Sequence, residues 1–339
     1  MADQSLQVNS VALDHRLEDK DVRATKFLLC FLLAHLVVSV SQAQWPTTTS
    51  PCNGRFWMET GVSIFDRPGS DLGLPLVWND ITNDVLIDSD SATDLNGALG
   101  PNIRIGSRNR WGTDWEAGMT YGKWSIEQIA LGPDLASPFI PVTLDPDDVA
   151  MGYDSEMLDL QLNVRKAIMP GLTVLIGPRY MYLREDLDFR SSTTFNVVGV
   201  GNVLFDTQND IITRNSAFGG TIGLELNSPM NRYIYFNGYG KASGMANMAT
   251  LERRSITTTD PLLTQNDDKG TGMFIGQLGG RVYFNLVPQA VQGYVGYEAT
   301  VVDGVATAPS QALTTGITEV KTTNSIFWHS YNFGLKFTY

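Results

Sequence analysis

Residues 334–339, Gly334-Leu335-Lys336-Phe337-Thr338-Tyr339, close this chain. Successive side chains of a β-strand point to opposite faces, so Leu335, Phe337 and Tyr339 share one face. The alternation runs back through Phe333, Tyr331, His329 and Phe327, with Lys336, Asn332 and Ser330 between them. A strand that is apolar on one face and polar on the other suits a barrel with lipid outside and a polar interior. The expected fold is all-β: a transmembrane up-and-down antiparallel β-barrel.

Upstream, ten segments read as strands, near 55–65, 98–108, 112–124, 153–166, 171–188, 212–226, 232–247, 272–286, 290–303 and 325–339. Each supplies the roughly 9–11 residues that a tilted strand needs to cross a bilayer. About ten strands are therefore expected. Twelve is the alternative if 66–97 hides a hairpin, since Leu76-Val77-Trp78 and Val85-Leu86-Ile87 are apolar. The connections at 109–111, 167–170, 227–231 and 287–289 are short, and those near 66–97, 125–152, 189–211, 248–271 and 304–324 are long. Outer-membrane barrels pair short periplasmic turns with long outer loops, which puts both termini in the periplasm.

Strand parity sorts the side chains. Leu158, Leu160, Leu162 and Val164 are expected to face lipid. So are Val174, Ile176, Tyr180 and Tyr182, and Phe218, Ile222, Leu224 and Leu226. Phe274, Leu278, Val282 and Phe284 join them, with Val291, Val295, Tyr297 and Val301. The tyrosines near strand ends fit an interfacial girdle. The lumen is expected to hold six acids, Glu59, Glu116, Asp159, Glu185, Glu225 and Glu298, and six bases, Arg104, Arg165, Arg179, Lys241, Arg281 and Lys336. A charge on the lipid face costs about 2–4 kcal/mol at the midplane, so the lumen is where charges belong. A balanced set inside a narrow barrel should pair into a network that narrows or plugs it.

Arg23 and Lys26 precede the apolar run Phe27 to Val40, and Ser41-Gln42-Ala43 offers a small-residue cleavage site. The run falls short of the ~20 residues of a spanning helix. Residues 1–43 thus read as a signal peptide with an extended polar start, 44–54 as a periplasmic leader and 55–339 as the barrel. The expected address is the outer membrane.

The chain has 36 acidic and 24 basic residues, for a net charge of −12, with no basic cluster. That argues against nucleic acid as a partner. Beyond the signal peptide only Cys52, in the leader, remains, so no internal disulfide is expected. Of three histidines, His15 and His35 lie upstream and His329 points at lipid by parity. That leaves no multi-histidine metal site and no nucleophile–histidine pair. Gly219-Gly220 and Gly279-Gly280 lie within strands and are not phosphate loops. No catalytic residue, metal or cofactor is expected. Asp88, Asp90 and Asp94, and Asp145, Asp147 and Asp148, cluster in two long connections. Such carboxylates can hold Ca²⁺ or bridge to lipopolysaccharide, and a solvated acidic surface is the simpler reading.

Several stretches of the last third resemble a β-barrel porin family of planctomycete outer membranes. They are Asn215-Ser-Ala-Phe-Gly-Gly-Thr-Ile-Gly-Leu-Glu-Leu226, Gly240-Lys-Ala-Ser-Gly244 and Gly293-Tyr-Val-Gly-Tyr-Glu298. Val302-Asp-Gly-Val-Ala-Thr-Ala-Pro-Ser-Gln311 and Phe327-Trp-His329 complete the set. The resemblance implies an outer-membrane barrel, and the family's label implies passive passage of solutes. Gly334, Phe337 and Tyr339 also resemble the terminal signal that the barrel-assembly machinery reads. Phe333 departs from that signal, which usually carries a polar residue there. Membrane lipid, lipopolysaccharide and the assembly machinery are the expected partners. Two roles stay open. One is porin-like passage of small solutes or ions through a narrow charged lumen. The other is a structural or surface-interaction barrel, plugged inside, whose acidic outer loops bind a ligand.

Overall fold

The structure, a computed structural model, describes residues 55–339 apart from 69–74, 81, 89–93, 109–112, 132–134, 137–147, 198–200, 232, 258–262, 289 and 313–318. Asn53–Tyr339 forms one compact unit. The expected signal peptide and leader, with Cys52, lie outside the described residues, as do Asp90, Asp145 and Asp147.

Ten strands close into one barrel. They are β1 (Arg55–Arg67), β4 (Leu95–Arg108), β5 (Thr113–Leu131), β7 (Asp148–Met169), β8 (Leu172–Val197), β9 (Gly201–Pro229), β10 (Ile234–Thr257), β11 (Leu263–Val287), β12 (Val291–Val305) and β13 (Asn324–Thr338). All neighbours are antiparallel, and β1 pairs with β13 from Trp57↔Thr338 to Asp66↔His329. Closure leaves no open edge, so the backbone is hydrogen-bonded without water, as lipid demands. The hairpin anticipated within 66–97 exists. Its strands β2 (Pro75–Asn79) and β3 (Val85–Asp88) stay out of the barrel and join β6 (Leu135–Ala136) in a separate three-stranded sheet. The count is therefore ten and not twelve.

The long connections need correction, because much of their length is strand. β8 has 26 residues, β9 29 and β11 25, against 13 in β1 and 15 in β12. A tall wall, β7 to β11, therefore extends beyond the other strands at the end opposite the short turns.

The outward face marks where the strands leave lipid. On β7, Leu158, Leu160, Leu162 and Val164 point outward between Glu156 and Lys166. Ten steps of ~3.3 Å at a tilt near 40° rise about 25 Å, the height of an apolar barrel belt. Beyond that level the alternation inverts. Outward positions become charged, as in Glu156, Asp154, Arg184 and Asp186, while inward Met157, Tyr153, Leu183 and Leu187 are buried and apolar. Water now lies outside the wall and a packed core inside it. The first polar row runs in register across the wall as Lys123, Glu156, Arg184, Arg214, Thr250 and Asp268.

Candidate functional site: the barrel lumen

All twelve charged residues assigned to the lumen by parity point into it. Glu59 on β1 is in register with Lys336 on one side and Arg104 on the other. Its carboxylate lies 3.2 Å from Lys336 Nζ, 3.1 Å from Arg281 Nη1 and 3.6 Å from Arg104 Nη1. Tyr283 donates a further hydrogen bond to it at 3.0 Å. Arg104 continues to Glu116 at 2.7 Å, and Arg165 joins Glu116 at 3.3 Å to Glu225. A chain of alternating charge, Lys336–Glu59–Arg104–Glu116–Arg165–Glu225, thus links β13 round to β9. Glu59, Glu116 and Glu225 are each only 2% exposed, which is tolerable because each is paired.

Aromatic rings pack the same level. Lys336 Nζ lies 4.8 Å from the Trp57 ring centre, and the Arg281 guanidinium lies 5.5 Å from both Tyr239 and Tyr294. Tyr283 and Tyr235 stack at 4.4 Å. Glycine makes room for this layer at the closing seam. Gly61 and Gly334 face each other, and a Cβ on either would meet a backbone oxygen of the opposite strand and the Tyr294 hydroxyl.

A second polar level lies deeper. Arg179 binds Asp159 through two hydrogen bonds, at 2.9 and 2.7 Å, and donates a third to Ser243 at 3.0 Å. Lys241 donates to Gln161 at 3.0 Å, and Tyr239 and Gln277 both donate to Glu298, at 2.5 and 3.2 Å. The cavity among Arg104, Asp159, Lys241, Glu298 and their neighbours measures about 30 Å³. That is space for a water or two.

Glu185 stands apart from this network, at the tall-wall end. It is fully buried, accepts from Arg67 Nη1 at 2.7 Å, and accepts from the backbone N–H of Ala308 at 2.9 Å. Ala308 belongs to a strap between β12 and β13 that folds back into the mouth. Gly304 begins it with φ +83°, where a Cβ would lie 2.2 Å from the Gly272 oxygen, so no other residue fits. The short helix α1 (Ala308–Ala312) follows. Asn215 clamps Ala306 on both sides, donating to its carbonyl at 2.8 Å and accepting from its N–H at 2.9 Å. Gln311 does the same for Lys321, at 2.7 and 3.1 Å. Val305, Ala306, Ala308 and Val320 are fully buried in one apolar cluster with Met157, Met181, Leu183, Ala217, Met245 and Met273. Leu76, Val77, Ile87 and Leu135 of the separate sheet share that cluster with Met151, Leu187 and Phe189. The strap overlaps the stretch 302–311 that carries the family resemblance.

Asn215→Ala is expected to free the strap. It leaves two buried backbone groups of Ala306 without partners, at a cost of about 1–3 kcal/mol each. Limited proteolysis of the folded barrel should then cut within 306–312 or 319–322, and the wild type is expected to resist there. Equal resistance would mean that the clamp holds nothing.

Other anticipated positions fall as parity places them. His329 points outward, 3.4 Å from Asp66, among Tyr297, Phe327 and Tyr331. Ser330 faces the lumen on the opposite side of the strand, hydrogen-bonded by Asn332. Tyr339 is exposed, and its backbone N–H reaches the Phe56 carbonyl at 2.9 Å. Phe337 has outward parity but is only 9% exposed. The strap and the apolar upper lumen were missed by sequence reasoning, which anticipated a plug made of charged pairs alone. Inward Asn215 and Asn247 amid methionines were the available signal.

No family model and no curated protein matches the chain. Among solved structures, the outer membrane protease OmpT from Escherichia coli matches at 10% identity and a TM-score of 0.42, over 87% of this chain and 99% of that one. The translocator domain of the autotransporter NalP from Neisseria meningitidis matches at 9% identity and 0.36, over 98% and 99%. A Pseudomonas aeruginosa FadL homologue matches at 8% identity and 0.28, over 84% and 90%. Likenesses this distant carry no argument about activity.

Proposed function

We propose that the protein works in an outer membrane as a sealed β-barrel anchor, with its termini in the periplasm and the tall wall outside the cell. Of the two roles left open by the sequence, this one has the better support. The observation that carries it is double closure of the lumen. The charged chain from Lys336 to Glu225 spans one level, and the strap caps an apolar core at another. A permeating ion would have to part buried pairs, and breaking one by loss of a partner costs about 3–5 kcal/mol. Function then resides on the outer wall, whose exposed charges offer a polar surface to a ligand. Membrane lipid and lipopolysaccharide surround the belt in this reading, and the assembly machinery reads Gly334, Phe337 and Tyr339. Kinship with planctomycete barrels belongs to the same proposal. Relatives sharing the strap would then share the closed mouth.

Liposome swelling tests it. Vesicles carrying the folded wild type should be as tight to arabinose as empty vesicles. Swelling by the wild type would sink the sealed reading and favour porin-like passage.

A further inference from the structure

The first polar row above the belt sets two like charges side by side. Arg184 on β8 and Arg214 on β9 are direct cross-strand partners. Both point outward, since their chain neighbours Leu183, Glu185, Thr213 and Asn215 are buried in the interior. Their side chains are 38% and 37% exposed, so core packing does not account for the pair. Like charges at directly opposite positions destabilise a sheet.

The neighbouring acids leave most of these donors unused. Arg184 Nη2 lies 3.1 Å from Asp186, and Arg214 Nη2 lies 3.1 Å from Glu252. Glu252 also accepts from Arg254 Nε at 2.8 Å. Glu156 faces Arg184 in register from β7, and the two form no ion pair. A guanidinium carries five N–H donors in a planar fork. Among the described residues each arginine engages only through Nη2, which leaves Nε and Nη1 open. Asp186 occupies the next outward position up β8, and Glu252 is in register with Ile212, the next one up β9. Both acids thus stand on the side away from the belt. On the belt side, Tyr182 and Ser216 pair in register directly beneath the arginines. Neither hydroxyl has a hydrogen-bond partner among the described residues.

Height and chemistry identify the ligand. The row caps an apolar belt about 25 Å tall, the level at which bilayer headgroups begin. The anionic group at that level is lipid phosphate. Arginine forks make charge-assisted hydrogen bonds to phosphate oxygens, and a phosphate between two guanidinium groups removes their repulsion. The acids above repel an anion arriving from water and leave the approach from the membrane open. We infer that Arg184 and Arg214, with Tyr182 and Ser216, bind the phosphate of one outer-leaflet lipid. The site rests on the membrane placement proposed above and does not depend on the lumen being sealed.

Native mass spectrometry of the folded barrel in detergent tests it. The probe is dimyristoyl phosphatidic acid, and the control is dimyristoylglycerol, the same lipid without its phosphate. The wild type should retain phosphatidic acid about tenfold more strongly than the diacylglycerol. Arg184→Gln/Arg214→Gln should abolish that preference, and each single variant should reduce it. Arg190→Gln, at an exposed arginine farther up β8, should leave it intact. Heat-modifiable migration checks that every variant is folded. Equal retention of the two lipids by the wild type, or an unchanged preference in the double variant, overturns the site. So would inorganic phosphate that binds the wild type as tightly as phosphatidic acid, because the site would then take a free anion. A wild type that folds but does not insert into vesicles sinks the membrane placement and the site together. One that inserts and ignores the phosphate sinks the site alone.

Discussion

Glu59→Ala is expected to cost the folded barrel about 3–5 kcal/mol, the range for breaking a buried ion pair by removing one partner. The Glu59 carboxylate is the one acid within ion-pair distance of both Lys336 and Arg281 among the described residues. Arg104 also touches it but keeps Glu116 at 2.7 Å. Without Glu59, two cations remain in a lumen whose nearby cavity holds a water or two. Glu59→Gln should fall between, because the amide can still accept from Tyr283 but carries no charge. The urea midpoint for unfolding from lipid vesicles, followed by tryptophan fluorescence, measures both. A loss below about 1 kcal/mol would mean that water hydrates the stranded cations, and hence that the lumen is open.

Gly334→Val is expected to prevent closure altogether. A Cβ at 334 would sit 2.3 Å from the Thr60 carbonyl oxygen and 2.6 Å from the Tyr294 hydroxyl. The first contact is with backbone on the seam that joins the last strand to the first, so repacking one side chain cannot relieve it. Refolding into detergent should yield almost no heat-modifiable barrel, and adding Tyr294→Ala should recover little. Gly244→Val is the matched control. Its Cβ meets nothing, and it should fold with the wild-type yield. Wild-type yield from Gly334→Val would contradict the register that pairs Gly61 with Gly334.

The fold was legible because the membrane imposes one rule on every strand. The face alternation of Phe327 to Tyr339 and the parity of the twelve lumen charges follow from lipid outside and polar groups inside. The rule was also the source of the error. Above Glu156 on β7 and Arg184 on β8, water replaces lipid, so the same strands turn charged outward and apolar inward. Read with the lipid rule, those residues look like loop. Met157, Met181 and Met245 carry the inverted pattern in the sequence, and it marks the edge of the bilayer. The strap was hidden for another reason. Asn215 lies 91 residues from Ala306, and no local pattern reports a clamp at that separation. The hairpin in 66–97 was visible as two apolar runs. Its placement depended on Leu76, Val77 and Ile87 packing inside the tall wall, a tertiary fact.

Single-channel recording in a planar bilayer tests the sealed lumen most directly. Folded wild-type barrel should insert and give no current steps across the voltage range. Steps should appear when the strap, 306–322, is replaced by a short turn and Glu116 and Arg165 are both changed to alanine. Stable wild-type steps whose ion preference shifts with Arg281→Ala or Glu298→Ala would contradict the account and establish a charged pore.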